Sequence, residues 1–394
     1  MFIKFILSLS FLLLSSCDDD PASSSEDSLQ KLYVCDEGSD RVVILDASSD
    51  DLSQIKTIDI NFLDDDGEPE VPHYIAIDQS SGYWFVTAKG TGFVGMFDLN
   101  TDTLIDTFNL GPMSMPAFIG VDENNKNIYI SRGAMMGGDD HLYVLNYSSG
   151  LLVDAGLLDF TSVVPSFSQV HALSIDYPTI RGTSLIAASY KQDIFALMSL
   201  DNDLVTPSIY TLEDEEESGA ESDRIKPLTV TQKDDFIFFS CHGNYSKNIP
   251  AQIQSWSLTT ANQLDTLQLS FSSKPWHITP SPNSNEIFTV LKGTQGMLQE
   301  GDVYSEAGLS CLSYDENGNL TEKWRNTSSD FNMLHGIAIS SDGSRAYVSS
   351  RGNGSVLVFD TSSGDLLNTI DGIGMYNQDS EQSGKTLSGL AITQ

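Results

Sequence analysis

The chain has 394 residues, 40% of them hydrophobic, and sets 55 Asp and Glu against 20 Lys and Arg, for a formal charge of −35. A field of that sign repels nucleic acid and anionic membrane surfaces, which excludes polyanion binding as the main role. Length alone would suggest two or three domains, but an array of repeats buries one continuous core and needs no second domain.

The first element is an export segment. Lys4 precedes an apolar run from Phe5 to Leu14, and Leu14, Ser15, Ser16 and Cys17 follow. A short apolar core with a positive flank and small residues before the cut reads as a secretory signal. Its ending resembles the lipobox of bacterial lipoproteins, which implies a signal peptide over 1–16 and Cys17 as the lipidated first residue. Asp18, Asp19 and Asp20 open a Ser-rich acidic tether over 17–30. Such a stretch has little to bury and behaves as a flexible linker.

From residue 31 onward one phrase recurs. Its clearest copy runs Gly336 to Ile339, a turn at Ser341, Asp342 and Gly343, then Ala346 to Gly352, then Val356 to Asp360, and ends at Leu366 to Ile370. Four short strands at a period of about 40 to 50 residues predict propeller blades. The inner strands fall at Tyr74–Ile77, Phe118–Val121, Ala172–Ile175, Leu228–Thr231, Trp276–Pro280, Ile337–Ile339 and Leu390–Ile392, which predicts seven blades. The first unit, Leu32 to Ile60, lacks an inner strand and the chain ends on an unpartnered one. The C-terminal strand is therefore expected to join the N-terminal blade and close the ring. The fold class read from the sequence is all-β, a seven-bladed β-propeller of four-stranded antiparallel blades over 31–394. Strings such as Tyr347, Val348, Ser349, Ser350 and Val356, Leu357, Val358, Phe359, Asp360 resemble YVTN-type repeat propellers of bacterial surface proteins. That likeness implies architecture, not activity.

Three cysteines remain within the ring, Cys35, Cys241 and Cys311, and read as buried thiols, with a Cys241–Cys311 bridge as the alternative. The acidic clusters Asp64–Glu70 and Glu213–Asp223 read as solvated loops, and Asp315, Asn317, Gly318 and Asn319 as a hairpin turn rather than a calcium loop.

Strand polarity gives the chemistry its place. In a four-stranded meander the start of the first strand, end of the second, start of the third and end of the fourth share one face, here termed the mouth face. Ser81-Gly82, Asp201-Asn202, Asp342-Gly343 and Ser363-Gly364 are short turns on the opposite face. The longer connections, 61–72, 111–116, 159–169, 213–224, 293–307 and 372–386, belong to the mouth. So do all six histidines (His73, His141, His171, His242, His277, His335) and Met113, Met115, Met135, Met136, Met297, Met333 and Met375.

Aligning the starts of the first strands puts Ser388, His73, Ala117, His171, Lys226, Trp276 and His335 at the channel, and the ends of the second strands give Glu37, Lys89, Arg132, Lys191, His242, Lys292 and Arg351. Five of the latter seven are cationic, a collar able to focus anions in an acidic molecule. The candidate ligand-binding residues are His73, Lys89, Arg132, His171, Lys226, His242, Trp276, Lys292, His335 and Arg351. The alternative for each cation is pairing with an acidic loop or capping of carbonyls. His73, His171 and His335 are also a candidate copper or zinc set, although no metal-binding triplet stands in the sequence.

The expected function is an exported ligand binder, lipid-anchored to the outer membrane; the acidic tract after Cys17 resembles a cell-surface signal in some bacterial groups and an inner-membrane retention signal in others, and both placements stay open. The chain resembles propeller lipoproteins that hold cobalamin or ferric siderophores for a TonB-dependent transporter, and so implies a bulky anionic metal chelate as ligand and that transporter as partner. No cofactor is required by this reading, though copper or a bound chelate fits it, and nucleic acid is not a partner. Two alternatives stay open. One is a propeller enzyme, lactonase-like, lyase-like or copper redox, in which His335 and Glu37 do acid–base work. The other is a protein-interaction scaffold using the acidic loops.

Overall fold

The computed structural model describes residues 29–394 except 63–67, 112, 133–140, 165–166, 168, 180–181, 202–205, 213–224, 245–247, 272, 294–305 and 375–386. The lipobox with Cys17, most of the tether, residues 64–67 of the first acidic cluster, the Glu213–Asp223 cluster, and Met135, Met136, Met297 and Met375 lie outside the described residues.

Seven four-stranded antiparallel sheets form, each a meander from the channel outward. Burial follows strand position. The second strand of blade 2, Tyr83–Ala88, is buried over its last five residues, whereas the outermost strand of blade 3, Val153–Asp159, is exposed at all but one. Inner strands are covered on both faces and so read as continuous β-branched and aromatic runs.

The core is divided between the blades. Seven clusters of buried side chains occur among the described residues, and each joins two neighbouring sheets. Between blades 1 and 2, for example, Trp84 stacks on Phe97 at 4.0 Å beside Tyr33 and Val42. Truncating a side chain like Trp84 to Ala should cost about 3–5 kcal/mol, because a rigid neighbouring sheet cannot collapse into the gap.

Ring closure is as expected. The last strand, Leu387–Ile392, pairs antiparallel with the first described one, Lys31–Asp36, with Leu32 opposite Ile392 and Val34 opposite Leu390. Lys31 N–H donates to Thr393 Oγ1 at 2.8 Å, tying the two ends together. Closure removes the sheet edge that an open array would leave.

Cys35, Cys241 and Cys311 are buried free thiols, and Cys241 and Cys311 sit in different clusters, so the alternative bridge is not formed. The 315–319 segment is a turn. Asp315 accepts from the amides of Asn317 and Asn319 and from Asn319 Nδ2, while Gly318 adopts φ +80°. A left-handed residue there favours glycine.

Candidate functional site at the channel mouth

A backbone device repeats around the mouth. The residue before the first strand is left-handed in six blades, and none of the six is glycine: Val71, Met115, Gln169, Lys226, Lys274 and Met333 have φ between +46° and +55°. Every first strand then carries a bulge where it meets the second strand. A bulge re-aims side chains, so two successive residues can turn toward the channel. Non-glycine residues in this region cost of order 1 kcal/mol each and persist where surrounding structure fixes them.

The carbonyls of the left-handed residues define the rim. They accept the amides of Lys89, Tyr190, His242, Lys292 and Arg351 at 3.0–3.2 Å. Tyr190, rather than Lys191, is therefore the equivalent of Lys89. Arg132 stands one place too early in the same comparison, because Pro116 pairs with Arg132 as Pro72 pairs with Ala88. Lys226 likewise occupies the left-handed position, two residues before Leu228, the counterpart of His73. The bulge is the same in every blade, so these three differences from the sequence alignment have another source: the equivalence is set by which amide bonds the left-handed residue's carbonyl and by the strand pairing, and neither is visible in a count along the strand.

The displaced side chains do different work. Arg132 donates through Nε to Ser114 O at 2.8 Å and through Nη2 to Met113 O at 2.9 Å, with its guanidinium 5.9 Å from the Tyr143 ring centre. It is a loop cap. Lys191 is exposed. The five-cation collar thus contracts to Lys89, Lys292 and Arg351, with Lys226 and Lys274 just outside it.

Inside the rim the rings form a circuit. His73 neighbours His335 at 5.6 Å between centroids, His335 neighbours Trp276 at 5.3 Å, and Trp276 neighbours His242 at 5.0 Å. The circuit continues through Tyr190 to His171 and from His171 to Phe118 at 4.9 Å, then to Tyr74 at 4.8 Å. His277, from blade 6, lies 5.3 Å from Phe118, 6.1 Å from Tyr74 and 4.9 Å from His335. It touches rings from blades 2 and 3 across the ring and forms the floor with them. Lys292 Nζ sits 3.9 Å over the Trp276 ring, a cation–π contact.

One carboxylate organises this site. Glu37, in the turn Glu37–Ser39 after the first described strand, receives Arg351 Nη2 on one oxygen and His73 Nδ1 on the other at 2.5 Å. Burial works against its charge, but Arg351, His73 and Lys89 outweigh it and hold the carboxyl down at about 2. Burial also lowers His73, more than Glu37 restores. An ionised carboxylate can only accept, so His73 donates through Nδ1 and, being neutral, carries its lone pair on Nε2. His171 has the same arrangement: Nδ1 donates to Leu228 O at 2.9 Å, and burial lowers the ring to about 4. Burial brings His277 to about 3 and pushes His242 and His335 well down. The mouth is lined by neutral imidazoles.

Of the two residues named for acid–base work in the enzyme alternative, Glu37 hydrogen-bonds His73 and Arg351 rather than His335. His73 and His335 are neighbours, whereas His171 lies against Phe118 and Tyr190. Among the described residues no group of three or more His, Cys, Asp or Glu is arranged to hold a metal ion.

No protein-family model matches the chain, and no curated protein matches its sequence. Solved structures do match. A candidate 6-phosphogluconolactonase from Bacteroides fragilis gives a TM-score of 0.66 at 13% identity, over 94% of this chain and 99% of that one. The periplasmic gluconolactonase of Pseudomonas aeruginosa gives 0.65 at 15% identity, over 93% and 99%. A functionally unknown protein from Desulfotomaculum acetoxidans gives 0.63 at 11% identity, over 92% and 98%.

The likeness is one of fold. At these identities it establishes the seven-bladed ring and leaves the mouth chemistry to the residues themselves.

The sequence locates His73, Lys89, His171, His242, Trp276, Lys292, His335 and Arg351, all of which the structure brings to the mouth. Tyr74, Phe118, Tyr190 and His277, which make wall and floor, are not among the candidates the sequence offers. A hint existed in the aromatic residues that follow His73 and Ala117, and in the histidine that follows Trp276, but only a bulge makes that second position face the channel.

Proposed function

We propose that the mouth captures a bulky organic anion of the metal-chelate class, on a YVTN-type propeller held outside the cytoplasm by a lipid on Cys17. The observation that carries this reading is the closed circuit of neutral imidazoles and aromatic rings beneath Lys89 and Lys292. Aromatic and imidazole rings give a bulky organic ligand apolar contact, neutral rings spare it a desolvated charge, and lysines in a molecule of charge −35 focus anions at this place. A TonB-dependent transporter is the partner that such a capture protein would serve. Calorimetry of the purified full chain against cobinamide and a ferric siderophore tests it. A dissociation constant of about 1 μM or tighter, near −8 kcal/mol, is expected for at least one, and no heat with either overturns the reading.

A specific observation favours a second reading. The Arg351–Glu37–His73 chain presents an unprotonated Nε2 on a ring held by an ionised carboxylate, the geometry of a general base. Beside lysines it suits hydrolysis of an anionic lactone. Turnover of a gluconolactone that falls at least 100-fold in Glu37→Gln would establish this reading; no turnover by the wild type would remove it.

A further inference from the structure

We propose that the seam between blades 7 and 1, on the face opposite the mouth, holds a second binding site, which takes a neutral saccharide. The proposal does not depend on what the mouth binds.

A comparison of two blade boundaries leads to it. Where blade 1 meets blade 2, the second strand of blade 1 sends two side chains to one carboxylate: Lys31 Nζ donates to Asp102 Oδ2 at 2.8 Å, and Tyr33 Oη to Asp102 Oδ1 at 2.7 Å. Asp102 is the left-handed residue of the turn 99–103 between the third and fourth strands, with φ 53°. Arg345 and Tyr347 hold the same places in the second strand of blade 7, since Lys31 and Arg345 each pair with the last residue of the third strand, Asp46 and Asp360. The turn they meet in blade 1, residues 47–53, is longer, and its left-handed residue is Leu52, φ 44°, which is buried and has no acceptor in its side chain. Arg345 goes to Asp50 instead, Nε to Oδ1 at 2.6 Å and Nη2 to Oδ2 at 3.3 Å, while Tyr347 Oη reaches Ala47 O at 3.3 Å.

With the longer turn and the lost carboxylate, the seam holds a cavity of about 360 Å³. Small-molecule sites span about 300–1,000 Å³. Ser48, Ser49, Asp50, Ser341, Ser344 and Arg345 line it, together with the buried Tyr347. Hydroxyls beside a paired carboxylate and guanidinium both donate and accept, which matches the vicinal hydroxyls of a sugar ring. Charge narrows the class. Asp50 and Asp342 outnumber Arg345 on the wall, and Asp360 stands behind the guanidinium at 3.5 Å, so an anion is repelled. Nor does the wall call for a cation: Asp50 holds Arg345, and Asp342 accepts from Ser340 Oγ, the Ser344 amide and Ser344 Oγ. A bare metal ion would need more donors, and no group of three or more His, Cys, Asp or Glu is arranged for one among the described residues. A neutral polyol can place its hydroxyls against the carboxylates without displacing these bonds, because each carboxylate oxygen accepts more than once.

The probes are methyl glucoside, methyl galactoside and methyl mannoside, with glucuronate as the anionic control, each followed by saturation-transfer NMR on the full chain. At least one glycoside should give transfer with a dissociation constant of about 10 mM or tighter. Glucuronate should bind about tenfold or more weakly than the best of them. Ser49→Trp sets a large side chain into the cavity from an exposed turn position. It should melt within about 2 °C of wild type and lose the transfer, whereas Lys292→Met at the mouth should keep it. A measurement on the wild type alone guards against misfolding of the variant: the amides of Ser49, Asp50 and Ser344 should shift as the glycoside is added. No transfer with any glycoside overturns the proposal, and so does glucuronate binding as tightly as the best glycoside. Transfer that survives in folded Ser49→Trp, or amide shifts confined to residues of the mouth, removes the sugar from the seam and overturns it as well.

Discussion

Glu37 and Arg351 stand 314 positions apart in the chain and form a buried ion pair across the seam where the ring closes. Glu37 belongs to blade 1, Arg351 to blade 7, and His73, on the other oxygen of Glu37, to blade 2. One carboxylate therefore joins three consecutive blades at the rim of the site.

Removing one partner should cost far more than the pair contributes. Glu37→Ala strands the Arg351 guanidinium, and Arg351→Ala strands the carboxylate, so each should lower stability by about 3–5 kcal/mol. The double variant should fall well short of the sum. Urea denaturation of the three variants measures this, and additive losses would show that the two groups do not interact.

Acid should loosen the mouth in two steps. His277 is held at about 3 against an ordinary value of 6.5, so the unfolded chain binds a proton that the folded one refuses as pH falls below 6.5. Stability is lost from there down to about 3, by on the order of a few kcal/mol for this ring. Glu37 adds to the loss only lower, between 4.5 and about 2, where the unfolded carboxyl is protonated and the folded one is not. Melting temperature against pH should slope downward from 6.5, and His277→Phe should flatten its upper part. An unchanged slope in that variant would refute the assignment.

The rim comparison sets neighbouring residues against each other. Tyr190→Ala should weaken ligand binding by about tenfold, since it removes a ring from the circuit, while the adjacent Lys191→Met should change it less than twofold. Isothermal titration with whichever chelate binds wild type decides. The reverse order would restore the register read from the sequence.

Thiol chemistry reports on the packing. Burial raises Cys35, Cys241 and Cys311 well above the usual thiol value, so none supplies thiolate at neutral pH. In the native chain Cys35, Cys241 and Cys311 should stay unreactive toward an aromatic disulfide reagent, and all three should appear in guanidinium. Fast labelling of any of the three in the native state would contradict their burial.

Closure itself depends on a short strand. Leu387 and Leu390 are 0% and 5% exposed in the cluster between blades 7 and 1. Leu387→Ala should cost about 2–5 kcal/mol, and deletion of residues 387–394 should abolish a single cooperative unfolding transition, because blade 1 then lacks its innermost strand. Differential scanning calorimetry distinguishes a destabilised ring from an open one.

The sequence by itself determined the number of blades, the direction of each strand, the seam and the face that carries the six histidines. Those follow from periodicity and alternation, which are local properties: a run such as Tyr347 to Ser350 announces its strand wherever the chain places it. Tertiary structure decided which residues meet. Val71, Gln169 and Lys226 carry no compositional sign of a left-handed backbone, and only the bonds their carbonyls make show that Tyr190, not Lys191, is the equivalent of Lys89, while Arg132, at the end of its strand, caps the loop carbonyls of Met113 and Ser114. Glu37 found His73 and Arg351 because closing the ring brings blades 7, 1 and 2 together, and burial then fixed their protonation, since the cost of desolvating a charge depends on everything packed around it and on nothing in the sequence nearby.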